Sequence, residues 1–159
     1  NRNMEKKVSI YFNSFVKSAL ERETLYYKSL IIDGPRSTIN KNIEFILDQF
    51  VEKYTDNIPG IEELIYLALN KNMSEISKED FKRQYDHDLS AYPIVMKEEV
   101  INKVEELRNK INNELGIKFN KIYFFNFIIL NYYMENKSDI LKRELEFWNQ
   151  NYFINGNKE

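Results

Sequence analysis

KIYFFNFIILNYYM, residues 121–134, decides the fold. Eleven of its fourteen residues are apolar or aromatic. Wrapped as a helix it has no polar side, because Ile122, Tyr123, Phe125, Ile129, Tyr132 and Tyr133 point in every direction. A helix that is apolar all round is a buried one. The run is too short for a bilayer, which takes about 20 apolar residues, and Asn126 and Asn131 interrupt it. It reads as the central helix of a soluble core, with no membrane span and the rest of the chain packed around it.

Length and composition agree. At 159 residues the chain is expected to form a single domain, residues 1–159, and is long enough to bury about two thirds of its unfolded surface. Four Gly and three Pro leave little material for a turn-rich β fold, so the expected class is mainly α. The high aromatic share, 14%, is spaced to fill a helical core. The absence of Cys excludes disulfides, thiolate metal sites and cysteine nucleophiles, and suits a cytoplasmic protein. Net charge is −2, with the acid gathered in the middle: residues 55–90 hold four Lys/Arg against eight Asp/Glu. A strongly basic, generic nucleic-acid footprint is absent.

Upstream of the central helix, residues 97–115 carry Val100, Val104, Leu107, Ile111 and Leu115 on one face and end at Gly116, a natural C-terminal stop. Before them, AYPIVM at 91–96 reads as a short strand that Pro93 restricts to an edge. The first 54 residues follow a similar plan. KVSIYF at 7–12 alternates, with Val8, Ile10 and Phe12 on one side and Lys7, Ser9 and Tyr11 on the other. A helix over 14–31 follows, with Phe15, Val16, Ala19, Leu20, Tyr26, Tyr27, Leu30 and Ile31 on its apolar face and Glu23 at its rim. Asp33-Gly34-Pro35 stops it, and Ser37 caps a second helix whose stripe is Ile39, Ile43, Ile46, Leu47, Phe50, Val51 and Tyr54. Between the two copies, 55–90 reads as a helical insert with short helices near 61–68 and 78–88. Residues 137–159 supply a last helix and a tail. The expectation is about seven helices and one two-stranded antiparallel ribbon.

The plan is therefore a repeat: strand, helix, helix over 7–54 and again over 91–136. In both copies Asn-Lys lies at the opening of the second helix, as Asn40-Lys41 and Asn120-Lys121. This arrangement resembles the ribbon-helix-helix family of DNA-binding proteins, of the MetJ/Arc type. Two copies intertwine there, and their paired strands enter the major groove. The chain looks like the tandem kind, a single-chain pseudo-dimer. The resemblance implies sequence-specific binding of double-stranded DNA, as a transcriptional regulator or plasmid-maintenance accessory factor. It assigns base reading to Lys7, Ser9 and Tyr11, and phosphate contact to Ser37, Thr38, Asn40 and Lys41, with Asn120 and Lys121 in the second copy. The chain also departs from the pattern. The outward positions of its second strand, Ala91, Pro93 and Val95, cannot read a base by hydrogen bond, and the acidic Glu98 and Glu99 follow them.

Other chemistry finds little support. Phosphate-loop, dinucleotide and nucleophile-elbow motifs are absent, so no enzyme and no cofactor is expected. His87 stands between two Asp as a lone imidazole, a poor metal set. Glu62-Glu63 and Glu105-Glu106 are neighbours on polar helix faces and read as solvated surface. The alternative to DNA binding is an all-helical module that grips a protein partner.

Overall fold

The computed structural model describes residues 4–12, 14–69, 75–76, 90–140 and 142. Strand β1 (Glu5–Phe12) leads into helix α1 (Ser14–Leu30), then α2 (Ile39–Tyr54) and α3 (Ile58–Leu69). A two-residue strand β2 (Glu75–Ile76) and a longer β3 (Ser90–Lys97) precede α4 (Glu98–Leu115), the two-residue β4 (Lys118–Phe119) and α5 (Lys121–Glu135). Helical backbone resumes at 137–140. The expected helix over 78–88, His87 and Trp148 lie outside the described residues.

β1 and β3 pair antiparallel over their whole length, from Glu5 opposite Lys97 to Phe12 opposite Ser90. The expected two-stranded ribbon exists and is longer than 7–12 and 91–96. Alternation sets its faces. Ile10, Phe12, Ile94 and Met96 are buried, while Lys7, Ser9, Ala91, Pro93 and Val95 are exposed. Both strands are edges, where proline is tolerated.

The central helix is as buried as its composition demands. Tyr123 through Leu130 are buried without interruption. Phe124 and Phe127 pack edge-on against Phe50 of α2, and both rings meet Phe119. Gly116 ends α4 in the left-handed region at φ 64°, where a residue without Cβ is unstrained.

The packing is reciprocal between the two halves. β1 lies on α5 and β3 lies on α2, so each strand rests on the second helix of the other half. α1 likewise touches α5, and α4 touches α2. Two hydrogen bonds mark the exchange. The Tyr11 amide donates to Asn126 Oδ1 at 2.8 Å, and the Lys97 amide donates to Glu44 Oε1 at 3.3 Å. Asn126 and Glu44 are each the sixth residue of their helix. α3, from the insert, packs on α2 and α4.

Three local details differ from expectation. Glu23 is buried rather than at the rim, 4% exposed. Arg36, returning from the turn after α1, meets it with Nη2 at 3.0 Å from Oε1. The same carboxylate accepts from the Asn42 amide and the Tyr133 hydroxyl at Oε1 and from the Tyr132 hydroxyl at Oε2. Arg36 also donates to Asn42 Oδ1 and Tyr27, and its guanidinium lies against the Tyr27 and Phe45 rings. A buried charge survives only when paired and hydrogen-bonded, and this one is. Conversely, Leu30 and Ile31, expected on the core face of α1, are exposed, because the helix ends there and its inward side is taken by Glu23 and Thr24. Finally, β2 pairs in parallel with β4, a strand pair not expected from the sequence, and Phe119 is the second residue of β4, ahead of the helix that begins at Lys121. The Phe119 amide donates to Asn112 Oδ1 at 3.0 Å.

Candidate nucleic-acid interface

The outer face of the ribbon has two unlike halves. β1 supplies Lys7 and Ser9, both exposed. β3 sets Val95 opposite Lys7, Pro93 opposite Ser9 and Ala91 opposite Tyr11. One strand thus offers an ammonium and a hydroxyl, and the other an aliphatic strip. Both strands carry charge at their paired ends, where Glu5 stands opposite Lys97. Lys97 is a member of this face that the shorter strand reading left out. Its signal is the continued alternation Ala91, Pro93, Val95, Lys97.

Tyr11 departs from the outward role expected of it. It is half-buried, and its ring stacks on Tyr123 with centroids 5.7 Å apart. The cause is α5, which runs beside β1 and covers this end of the strand. Alternation assigns a side chain to a face but does not reveal which helix comes to lie beside that face.

The helix starts divide in the same way. Ser37 does not cap α2: it is buried, 3% exposed, and its hydroxyl donates to the Gly34 carbonyl at 2.8 Å. That hydroxyl is engaged inside the turn. Thr38 is the cap, its Oγ1 accepting from the Lys41 amide at 3.2 Å. Asn40 is half-buried and Lys41 exposed. In the second half Asn120 caps α5, its Oδ1 accepting from the Ile122 amide at 2.9 Å, and Lys121 is exposed. Each helix start therefore combines a capped first turn with an exposed lysine. Among the described residues Lys7, Lys41 and Lys121 make no ion pair.

Acid near the ribbon is partly neutralised. Glu98 pairs with Lys6 at 2.9 Å and Glu99 with Lys103 at 3.3 Å. Pairs this exposed contribute little to stability, but they cancel charge locally. Glu44, under the end of β3, has its carboxyl raised above the usual value by partial burial, against the pull of the Lys97 amide.

The acidic pairs on helices behave differently from each other. Glu62 and Glu63 are exposed. Glu105 is half-buried, its Oε2 accepting from Arg108 Nη2 at 2.8 Å, while Glu106 is exposed. Among the described residues no cluster of His, Cys, Asp or Glu is able to hold a metal ion, and no helix is long and apolar enough to cross a membrane. Compared with protein-family models, curated proteins and solved structures, the chain matches none.

Proposed function

We propose that this chain binds double-stranded DNA sequence-specifically, as a single-chain ribbon-helix-helix pseudo-dimer acting as a transcriptional regulator or plasmid-maintenance accessory factor. The observation that carries the reading is the reciprocal seating of the ribbon. Each strand is held by the second helix of the opposite half, through Asn126 and Glu44, with Lys7 and Ser9 exposed on its outer face. A two-stranded ribbon fits the major groove, where base edges carry a distinct pattern of donors and acceptors. Lys7 and Ser9 hydrogen-bond base edges. Ala91, Pro93 and Val95 contribute apolar contact of the kind that thymine methyl groups accept. Lys41 and Lys121, beside the free N–H groups that begin α2 and α5, contact phosphate.

Because the halves of the face differ, the preferred site is asymmetric. Selection from random duplexes at low salt tests this directly. Enrichment of one non-palindromic sequence is the expected result. A palindrome would mean that two whole chains pair on DNA, and no enrichment over background would remove the DNA reading.

A second reading rests on a separate observation. Leu30, Ile31 and Ile32 at the end of α1 are each more than half exposed, 61%, 62% and 73%. Contiguous exposed aliphatics mark interaction surfaces. In this reading the chain is a protein-binding module, and pull-down with the surface variant Ile31→Ser/Ile32→Ser distinguishes it, since DNA selection is then unaffected.

A further inference from the structure

Asn126 is the anomaly of the central helix. It is wholly buried in the middle of the apolar run Tyr123–Leu130. Its Oδ1 accepts from the Tyr11 amide at 2.8 Å, while among the described residues its Nδ2 has no hydrogen-bond partner. An unmet buried donor carries a desolvation cost that an apolar side chain of the same shape, leucine, would not. What the amide supplies in return is an acceptor for one particular strand residue.

The pairing of the strands shows why that acceptor matters. Because the Tyr11 N–H points to α5, Tyr11 and Ala91 form a pair that exchanges no ladder bond. Ser9 with Pro93, and Lys7 with Val95, share that parity, so the missing Pro93 N–H costs the ladder nothing. The N–H groups of Lys7, Ser9 and Tyr11 all face the open edge of β1. Among the described residues only that of Tyr11 meets a side-chain acceptor. On the open edge of β3, Glu44 takes the Lys97 amide in the same way. The two acceptors stand at diagonally opposite corners of the ribbon, since Tyr11 lies opposite Ala91 and Lys97 opposite Glu5.

The apolar pattern alone leaves the register open. A slip of one residue turns every buried side chain outward, but a slip of two returns the same alternation to the same faces. Val8 then meets Met96 or Tyr92 in place of Ile94, all of them apolar or aromatic. No shared turn sets the register, because α1, α2 and α3 lie between β1 and β3. A slip of two residues moves Lys7 and Ser9 by about 7 Å along β3, the length of about two base-pair steps. We propose that Asn126 is a positioning residue for base recognition: by holding the Tyr11 amide it selects one strand register, and so decides which bases Lys7 and Ser9 meet. This role presupposes the DNA reading.

Short Hα–Hα contacts in the isotopically labelled full chain report the register, because pairs without ladder bonds bring their Cα atoms to about 4.5 Å. The parent should show Lys7 with Val95 and Ser9 with Pro93, in one set. Its Tyr11 amide should exchange with solvent about a hundredfold more slowly than those of Lys7 and Ser9. Asn126→Leu, and Asn126→Ala, which cannot overpack, should each add a second set two residues off, pairing Lys7 with Pro93 or Lys97. In selection from random duplexes both variants should keep total affinity within about threefold, since phosphate contacts carry it, while discrimination among sequences falls about tenfold. A Tyr11 amide that exchanges as fast as those of Lys7 and Ser9 overturns the role on the parent chain alone, whether or not the variants fold. A selective parent whose variants keep one register and full discrimination overturns it as well. A parent with no sequence preference overturns the DNA reading itself, and with it the recognition role.

Discussion

Arg36 Nη2 lies 3.0 Å from Glu23 Oε1, with the two side chains 9% and 2% exposed. This ion pair ties the turn before α2 to α1, and through Tyr132 and Tyr133 to α5. Breaking a buried pair by removing one partner strands the other charge, at about 3–5 kcal/mol. Arg36→Met and Glu23→Leu are each expected to destabilise by that amount in urea unfolding. The double variant should lose less than the sum of the two. Strict additivity would show that the charges do not interact.

Two of the phenols around Glu23 should resist ionisation. Burial, then the Glu23 charge, pushes Tyr132 up to about 12, and the same causes push Tyr133 up. Free tyrosine ionises near pH 10. Above that pH the unfolded chain releases protons that the folded chain keeps, so the stability these groups contribute is present below pH 10 and is lost as pH rises toward 12. Phenolate absorbance of the native protein should therefore show two tyrosines fewer than the urea-unfolded chain at pH 11. Identical titration curves would contradict their burial against Glu23.

Glu44 has a consequence of the same sign in the acid range. Partial burial raises its carboxyl above the usual 4.5. The folded state then binds a proton more readily than the unfolded one, so stability falls as pH rises from about 4.5 through the raised value. Glu44→Gln keeps an acceptor for the Lys97 amide and removes the titration. Its melting temperature at pH 7 should equal or exceed that of the parent, with a flatter profile between pH 4 and 7. A clear loss at pH 7 would mean that the negative charge itself holds the strand end.

Ile129 is fully buried in α5. Ile129→Asp places an unpaired carboxylate in the core at a cost of several kcal/mol, which is expected to unfold the protein. A thermal melt indistinguishable from the parent would show that α5 is not the centre of the fold.

The DNA contacts should fail in two distinct ways. Lys41→Ala and Lys121→Ala are expected to weaken binding to every duplex alike, each lowering the salt slope by about one. Lys7→Ala should cost roughly 1–3 kcal/mol at the preferred site and relax selectivity at one base pair. Charge reversal at Glu62 and Glu63, on α3, should change affinity little at physiological salt, where screening acts over about 8 Å. Equal salt slopes for the parent and both phosphate-site variants would argue against the assigned contacts.

The elements of the fold were legible because they rest on periodicity. Alternation at Val8, Ile10 and Phe12 and the apolar run of α5, interrupted only by Asn126 and Asn131, point to a strand and a buried helix, and both occur in the structure. The polar interior was not legible. Glu23 breaks the apolar stripe of α1, and nothing along the chain announces that Arg36, thirteen residues on, returns to neutralise it. The same limit applies to the candidate interface. Lys7, Ser9, Lys41 and Lys121 are exposed as their local pattern requires. Ser37 and Tyr11 are covered by a turn and a helix whose approach depends on tertiary packing.

The reciprocal seating of the strands has a consequence for synthesis on the ribosome. β1 has its partner strand at 90–97 and its supporting helix at 121–135. The first half of the chain therefore leaves the exit tunnel with Ile10, Phe12 and the side of α2 that faces α4 and α5 without their native cover. At about 5–20 residues per second the nascent half stays uncovered for several seconds or longer. Non-local pairing of this kind also slows the search that follows release. The chain should therefore depend on chaperone capture during translation more than an ordinary helical protein of its size.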